Sequence, residues 1–157
     1  MLLCLLRHAE AEVLAASDRA RRLTSKGEEQ AERVGKFCRK QGIVPAVILT
    51  SPVTRALQTA ELAAKSLTDA ELIEVPWAAC GMDPATAMEE LKAYAKFPTV
   101  MLVGHQPDLG HLSAVLLDMC SVQTLHVRKA LLAGIDLSHG VQAGRGELQF
   151  FVPVKLM

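Results

Sequence analysis

Four side chains suited to phosphate chemistry follow predicted buried strands, directly or in the first turn of the next helix: Arg7, His8, Arg55 and His105. Because ligands of α/β sheets bind at the carboxyl ends of the strands, we expect the four to converge on one crevice. An arginine guanidinium is a planar fork that binds phosphate oxygens through two parallel hydrogen bonds. The sequence therefore predicts an electropositive phosphate site that needs no metal ion or other cofactor.

The histidine beside the first arginine has a clear chemical use in such a site. A neutral imidazole attacks phosphorus with one ring nitrogen while a hydrogen bond holds the other protonated. Neighbouring positive charge disfavours imidazolium, so we expect His8 to be neutral. Phosphoryl transfer otherwise needs in-line positioning and stabilisation of charge on the equatorial oxygens. We predict His8 as the nucleophile and His105 as a hydrogen-bond donor to those oxygens.

Apolar runs that alternate with amphipathic stretches predict the elements that position these residues. The predicted strands cover residues 1–6, 46–49, 72–75, 100–103, 129–137 and 147–154. The predicted helices run from residues 24–28 to Gly42, over 53–66 and 85–96, and from an N-cap at Asp108 through 117. Ser25 and Glu28 match a capping box at the first helix. This order predicts an α/β fold with a mostly parallel sheet, followed by an antiparallel strand pair.

Length and composition limit the class of protein. With 157 residues, half of them hydrophobic, the chain is expected to form a single domain over residues 1–157. The 17 basic residues balance 17 acidic ones, which argues against nucleic acid or an acidic membrane as the main partner. No apolar run approaches the roughly 18 residues of a membrane span, and MLLCLLRH is interpreted as a first strand rather than a signal peptide.

Cysteines and the remaining histidines do not indicate a metal site. The four cysteines are spread along the chain without a CxxC pair, which favours reduced thiols and a cytoplasmic location. His105 and His111 are six residues apart, so they are not a helical pair of metal ligands. We interpret His111, His126 and His139 as non-catalytic.

Four segments, in this order, resemble signatures of the histidine phosphatase superfamily: LLRHAEAE, SDRARRLT, TSPVTRALQT and LVGHQPDLGHL. Their spacing and the short chain are similar to the SixA-type phosphohistidine phosphatase branch. The resemblance covers about residues 1–120 well and the C-terminal strand pair loosely. It implies a three-layer, phosphoglycerate mutase-like fold with helices on both sides of the sheet.

The resemblance implies a role for each of the four residues. His8 would become phosphorylated, and Arg7, Arg55 and His105 would hold the phosphoryl group. Arg7, Arg55 and a further arginine, Arg21, would bind the substrate.

Two further positions follow from the same motifs. Arg21 matches a basic position close to the pocket in SixA-like proteins, and Asp18 would orient it. The glycine that usually follows the RH pair is Ala9 here. Because alanine is the smallest change and asks only for an ordinary backbone conformation, we expect it to be tolerated.

The source of the leaving-group proton is open at this stage. Larger phosphoglycerate mutase-like members carry a catalytic carboxylate on a mid-chain insertion, whereas the corresponding loop AACGMDPATAMEE is short. Its acids, Asp83, Glu89 and Glu90, lie in no obvious motif. A missing general acid fits a labile P–N bond better than an alkyl phosphate. Alternatively, Glu10 supplies the proton.

We therefore expect a metal-independent phosphatase that acts through phospho-His8. The expected substrate is phosphohistidine on a protein, such as a phosphorelay or phosphotransferase component. Alternatives are a phosphatase for small phosphoesters or phosphoramidates and a non-catalytic phosphate-binding module. Loss of His8 or of either arginine would have favoured the module. A mutase is disfavoured because it must hold two phosphoryl positions and a carboxylic acid.

Overall fold

The computed structural model describes residues 1–67, 70–121 and 125–157. Its strands are β1 (Leu2–Arg7), β2 (Val47–Thr50), β3 (Glu71–Glu74), β4 (Thr99–Gly104), β5 (Leu132–Asp136) and β6 (Glu147–Val152). Its helices are α1 (Ser25–Lys40), α2 (Thr54–Ala64), α3 (Pro84–Lys92) and α4 (Asp108–Leu116). The predicted order of strands and helices is confirmed. Among the helices of these ranges, none has the length and apolar character that crossing a membrane requires.

The strands form one mixed sheet in the order β3-β2-β4-β1-β5-β6. The first four strands of that order run parallel to one another. β5 runs antiparallel to both β1 and β6. The predicted parallel sheet with a C-terminal antiparallel pair is therefore confirmed. The carboxyl ends of β1, β2 and β4 meet at one edge.

Side chains of β1 alternate between the two faces of the sheet. Leu3 and Leu5 pack on the face covered by α3 and α4, and Cys4 and Leu6 pack on the face covered by α1 and α2. All four side chains are at most 1% exposed. Burial on both faces explains why the strand is a continuous apolar run rather than an alternating one. The resulting three layers hold the end of β1 rigidly.

The predicted capping box at the start of α1 is wrong. Thr24 rather than Ser25 is the N-cap, and its hydroxyl accepts a hydrogen bond from the Gly27 N–H. Three residues after this cap stands Gly27, not Glu28, so no carboxylate can reach back to complete a box. The neighbouring motif offers two hydroxyls in succession, and the sequence pattern does not distinguish them.

The prediction that Asp108 is the N-cap of α4 is wrong, because Asp108 is the first residue of the helix. Its carboxylate is buried and accepts a hydrogen bond of 2.9 Å from the Gly81 N–H. The side chain thus ties the loop before α3 to α4 instead of capping its own helix. The strand predicted at residues 129–137 also begins later, at Leu132, because Lys129 and Ala130 form a turn.

Gly27 lies where α1 touches the loop that follows His8. A Cβ atom at Gly27 would lie 1.9 Å from the Glu10 carbonyl oxygen, so the loop or the helix would have to shift. We expect Gly27→Ala to lower the free energy of unfolding by about 1–3 kcal/mol, and to lower activity with it. Urea unfolding measures the loss, with exposed Glu29→Ala on the same helix as control. Equal stability of the two variants would contradict the tight contact.

Candidate active site

His8 directly follows β1, and its imidazole is buried. Nδ1 lies 2.8 Å from the Ala9 carbonyl oxygen, and Nε2 lies 3.3 Å from Nε of Arg55. A carbonyl only accepts and a guanidinium only donates. Nδ1 therefore carries the proton, and Nε2 presents its lone pair. Both neighbours select the tautomer in which Nε2 is a nucleophile.

Burial lowers the pKa of His8 to about 3. The hydrogen bond to Ala9 opposes this shift, while His105, Arg55 and Arg7 add to it. The neutral imidazole agrees with the sequence analysis, but the main cause is desolvation rather than the arginines. Burial also lowers the pKa of His105, to about 4, and the positive charge of Arg55 is the second-largest cause.

These lowered pKa values predict acid sensitivity of the fold. An unfolded histidine has a pKa of about 6.5, so the unfolded chain binds more protons than the folded chain below that pH. Stability is therefore expected to fall as the pH drops from about 6.5 toward 4. Urea unfolding of the wild type and His105→Gln at a series of pH values measures this. The variant should show a shallower decline, and identical slopes would contradict the assignment.

Arg55, in the first turn of α2, is buried, and each of its three guanidinium nitrogens makes a contact. Besides the Nε contact with His8, Nη1 donates to the Asp18 carbonyl oxygen at 2.7 Å. Nη2 donates to the Asp18 carboxylate at 3.1 Å and contacts Cys80 Sγ at 3.4 Å. These contacts fix the plane of the fork beside His8.

Arg21 is linked to the site through Asp18. Its Nη1 donates to Asp18 Oδ1 at 2.9 Å, while Asp18 Oδ2 receives Arg55. Arg21 Nε also donates to the Glu12 carbonyl oxygen. The structure thus places Asp18 between the two arginines, and its pKa is held low by the hydrogen bond from Arg21 first. The expected link from Asp18 to Arg21 is present, and it extends to Arg55.

His105, just after β4, faces His8 with 5.3 Å between the ring centroids. Its Nε2 lies 2.8 Å from Ser51 Oγ. Ser51 Oγ also accepts a hydrogen bond from the Val53 N–H, which leaves the Ser51 hydroxyl able to donate a hydrogen bond to His105 Nε2. His105 Nδ1 is buried, and no hydrogen-bond partner for it occurs among the residues that the structure describes.

Arg7 is the last residue of β1 and directly precedes His8. Its Nη1 donates to the Val127 carbonyl oxygen at 2.8 Å. Its Nε is buried and has no partner within the described ranges. Arg7 and His105 thus each bring one buried nitrogen to which the described residues offer no hydrogen-bond partner. The structure brings all four predicted residues to one edge of the sheet.

The motif alanine is well accommodated. The Ala9 N–H donates to Thr59 Oγ1 at 3.0 Å, and the Thr59 hydroxyl donates to the Arg55 carbonyl oxygen at 2.6 Å. In the described chain, the non-glycine residues with left-handed φ are Asp118 and Ala130, so Ala9 keeps an ordinary backbone. This agrees with the expected tolerance of alanine.

Glu10 is poorly suited to donate a proton. Its carboxylate pairs with the Lys26 ammonium at 3.1 Å and accepts the Thr24 hydroxyl at 3.2 Å. The hydrogen bond from Lys26 holds the pKa of the Glu10 carboxyl below its usual value. Both contacts stabilise the ionised carboxylate, which disfavours Glu10 as the source of the leaving-group proton.

Three supporting residues were not singled out from the sequence: Ser51, Thr59 and Ala130. Ser51 and Thr59 both belong to the segment TSPVTRALQT, so their hydroxyls in that motif were an available signal. Ala130 has φ +53°, and its N–H donates to the carbonyl oxygens of both Arg7 and His8. An alanine gives no sequence signal for a left-handed conformation, because that region is rarely occupied by residues other than glycine.

Two sequence comparisons bear on the family. The model of the histidine phosphatase superfamily (branch 1) matches residues 3–101. An uncharacterised protein of Picosynechococcus sp. is 34% identical over 126 residues, which cover 76% of this chain and 74% of that protein. A 2,3-bisphosphoglycerate-dependent phosphoglycerate mutase of Corynebacterium diphtheriae is 40% identical over 65 residues, but these cover only 26% of that enzyme.

Solved structures share the fold along almost the whole chain. A protein histidine phosphatase SixA in complex with tungstate has a TM-score of 0.87 and 24% identity, with 99% of each chain covered. The alpha-ribazole phosphatase of Shigella flexneri has a TM-score of 0.81 and 18% identity, covering 98% of this chain and 97% of that one. The predicted three-layer, phosphoglycerate mutase-like fold is therefore confirmed. The chain belongs to the histidine phosphatase superfamily, and its fold is similar to that of SixA.

Proposed function

We propose that this protein is a metal-independent phosphohistidine phosphatase that acts through a phospho-His8 intermediate. The arrangement around Nε2 of His8 is the observation that carries the proposal. This nitrogen is unprotonated, lies 3.3 Å from Arg55 Nε, and belongs to an imidazole whose pKa is lowered to about 3. A nucleophile that is neutral near pH 7 and lies beside a guanidinium suits attack on a phosphoryl group.

In the first step, His8 Nε2 forms a bond to phosphorus as the bond to the leaving group breaks. Arg7, Arg55 and His105 donate to the equatorial oxygens. The buried Arg7 Nε and His105 Nδ1, which lack partners in the described chain, are the donors we assign to this role. Arg55 exchanges its Asp18 carboxylate contact for phosphoryl oxygens, because both ligands need the same Nη2 face.

The leaving group favours a P–N substrate. A phosphoimidazole that is protonated on its other ring nitrogen departs as neutral imidazole and takes no proton from the enzyme. An alkoxide leaving group does need a proton, and the ion pair with Lys26 disfavours the protonated form of Glu10, the candidate donor. The chemistry of this site is therefore suited to phosphohistidine more than to a simple phosphoester.

In the second step, water attacks the phosphorus of phospho-His8. The bond between phosphorus and Nε2 breaks, and its electron pair returns to Nε2. Both protons of the water leave with the phosphate as dihydrogen phosphate, so His8 is regenerated with Nδ1 still protonated. The Ala9 carbonyl, 2.8 Å from Nδ1, keeps that proton in place through both steps.

Hydrolysis of a phosphohistidine peptide and of p-nitrophenyl phosphate, both with EDTA present, tests the proposal. The wild type should hydrolyse the peptide at least about 100-fold faster in kcat/KM, which is about 2.7 kcal/mol of preferential transition-state stabilisation. The exposed His139→Gln variant is the matched control and should behave as the wild type. Equal or better turnover of the ester would shift the assignment to small phosphoesters. Phosphate binding without any turnover would indicate a non-catalytic module.

A further inference from the structure

A basic pocket of about 490 Å³ opens beside Arg7. Its charged lining residues in the described chain are five cations and one carboxylate: Arg7, Lys26, Arg128, Lys129, Lys155 and Glu10. The whole chain carries 17 basic and 17 acidic residues. Positive charge is thus concentrated in this pocket although the net charge is zero.

One wall of the basic pocket, residues 127–130, is hydrogen-bonded to Arg7 and His8. Arg7 donates from its guanidinium to the Val127 carbonyl oxygen at 2.8 Å. The Ala130 N–H donates to the carbonyl oxygens of Arg7 at 3.1 Å and His8 at 3.2 Å. These bonds fix residues 127–130 relative to His8. Since Arg7 belongs to both sites, an anion in the basic pocket would lie next to a phosphoryl group on His8.

One of the cations is already paired within the protein. Lys26 contacts the Glu10 carboxylate at 3.1 Å. Arg128, Lys129 and Lys155 are exposed at the rim, on the turn before β5 and after the end of β6. These three rim charges are the ones best placed to meet a partner that approaches from solvent.

The form of the basic pocket favours carboxylates of a protein over a second phosphate of a small molecule. In the phosphoryl site, the side chains of His8, Arg55 and His105 are buried. The rim consists instead of long, exposed side chains on two separate segments. Such charges steer and orient an acidic surface, and each one contributes little binding free energy by itself.

We propose that the basic pocket binds acidic side chains of the protein segment that carries the phosphohistidine. This inference rests on the proposed function, because it names the surroundings of the phosphohistidine that the active site accepts. Carboxylates within a few residues of the phosphohistidine would meet Arg128, Lys129 and Lys155 while the phosphoryl group meets Arg7 and His8. The rim thereby supplies a selectivity that the phosphoryl site alone does not.

Two phosphohistidine peptides of equal length test this inference, one with three glutamates near the phosphohistidine and one with three glutamines. The wild type should prefer the glutamate peptide by about tenfold in kcat/KM. A triple variant should reduce this preference to a ratio near one; it combines Arg128→Gln, Lys129→Gln and Lys155→Gln. Raising the salt concentration should reduce the wild-type ratio as well, because exposed charges are screened.

A control variant removes the same charge elsewhere. This triple variant should keep the preference for the glutamate peptide. It combines Arg39→Gln, Lys40→Gln and Lys65→Gln, which lie exposed at the carboxyl-terminal ends of α1 and α2. A wild type that hydrolyses both peptides equally overturns the inference and leaves the proposed function standing. So does an equal loss of preference in both triple variants. A wild type that hydrolyses neither peptide overturns the proposed function, and the inference with it.

Discussion

Replacing His8 with asparagine is expected to abolish hydrolysis of a phosphohistidine peptide, lowering kcat by at least about 10⁴-fold. The amide can still donate to the Ala9 carbonyl oxygen, as Nδ1 of His8 does, so the hydrogen bond on that side is preserved in kind. What is lost is a nitrogen able to form a bond to phosphorus. Steady-state kinetics with the purified variant measures the effect.

Two controls separate chemistry from folding in this variant. A thermal melt at pH 7.5 should show a stable fold, because asparagine removes no buried apolar group from the core. Isothermal titration with inorganic phosphate should still show binding, since Arg7, Arg55 and His105 remain. A His8→Asn variant that keeps more than about 1% of the wild-type kcat would be incompatible with His8 as the nucleophile.

Arg55→Lys is expected to lower kcat/KM by about 10²–10³-fold despite the retained charge. A lysine ammonium is a point charge and cannot contact His8 Nε2, the Asp18 carbonyl oxygen and the Asp18 carboxylate together, as the Arg55 fork does. The variant therefore loses the contact that positions His8 Nε2 and the planar contact with the phosphoryl oxygens. The loss should appear mainly in kcat, because the contacts strengthen as charge develops in the transition state.

The matched control is the exposed Arg33→Lys on α1, which should leave the kinetics unchanged. A second variant, Arg55→Ala, should recover part of its activity when guanidine is added to the assay, because the added cation restores the missing donor group. A drop of less than tenfold in Arg55→Lys would argue that Arg55 acts only through its charge.

The sequence predicts the four central residues because their positions depend on local pattern. Arg7 and His8 end an apolar strand, and Arg55 and His105 follow two other strands that share its edge of the sheet. Parallel strands have their carboxyl ends at the same edge of the sheet, so the α/β pattern predicts that these four side chains lie close together. The fold class is predictable for the same reason.

Other parts of the site depend on contacts that no local pattern encodes. Asp18 contacts Arg55, 37 residues further along the chain, as well as Arg21, and Ala130 reaches back more than 120 residues to His8. The pKa of His8 is set mainly by burial, which depends on how the whole chain packs. The roles of the site residues, and residues 1–157 as one domain, stay predictions.

The most direct test is a rapid-quench experiment with a peptide that carries ³²P-labelled phosphohistidine. Label should transfer to the protein within the first turnover and decay as inorganic phosphate appears. The labelled bond should be stable in alkali and labile in acid, as for a phosphoramidate, and peptide mapping should place it on His8. Release of phosphate at the full rate with no label on His8 at any time would contradict the phospho-His8 intermediate.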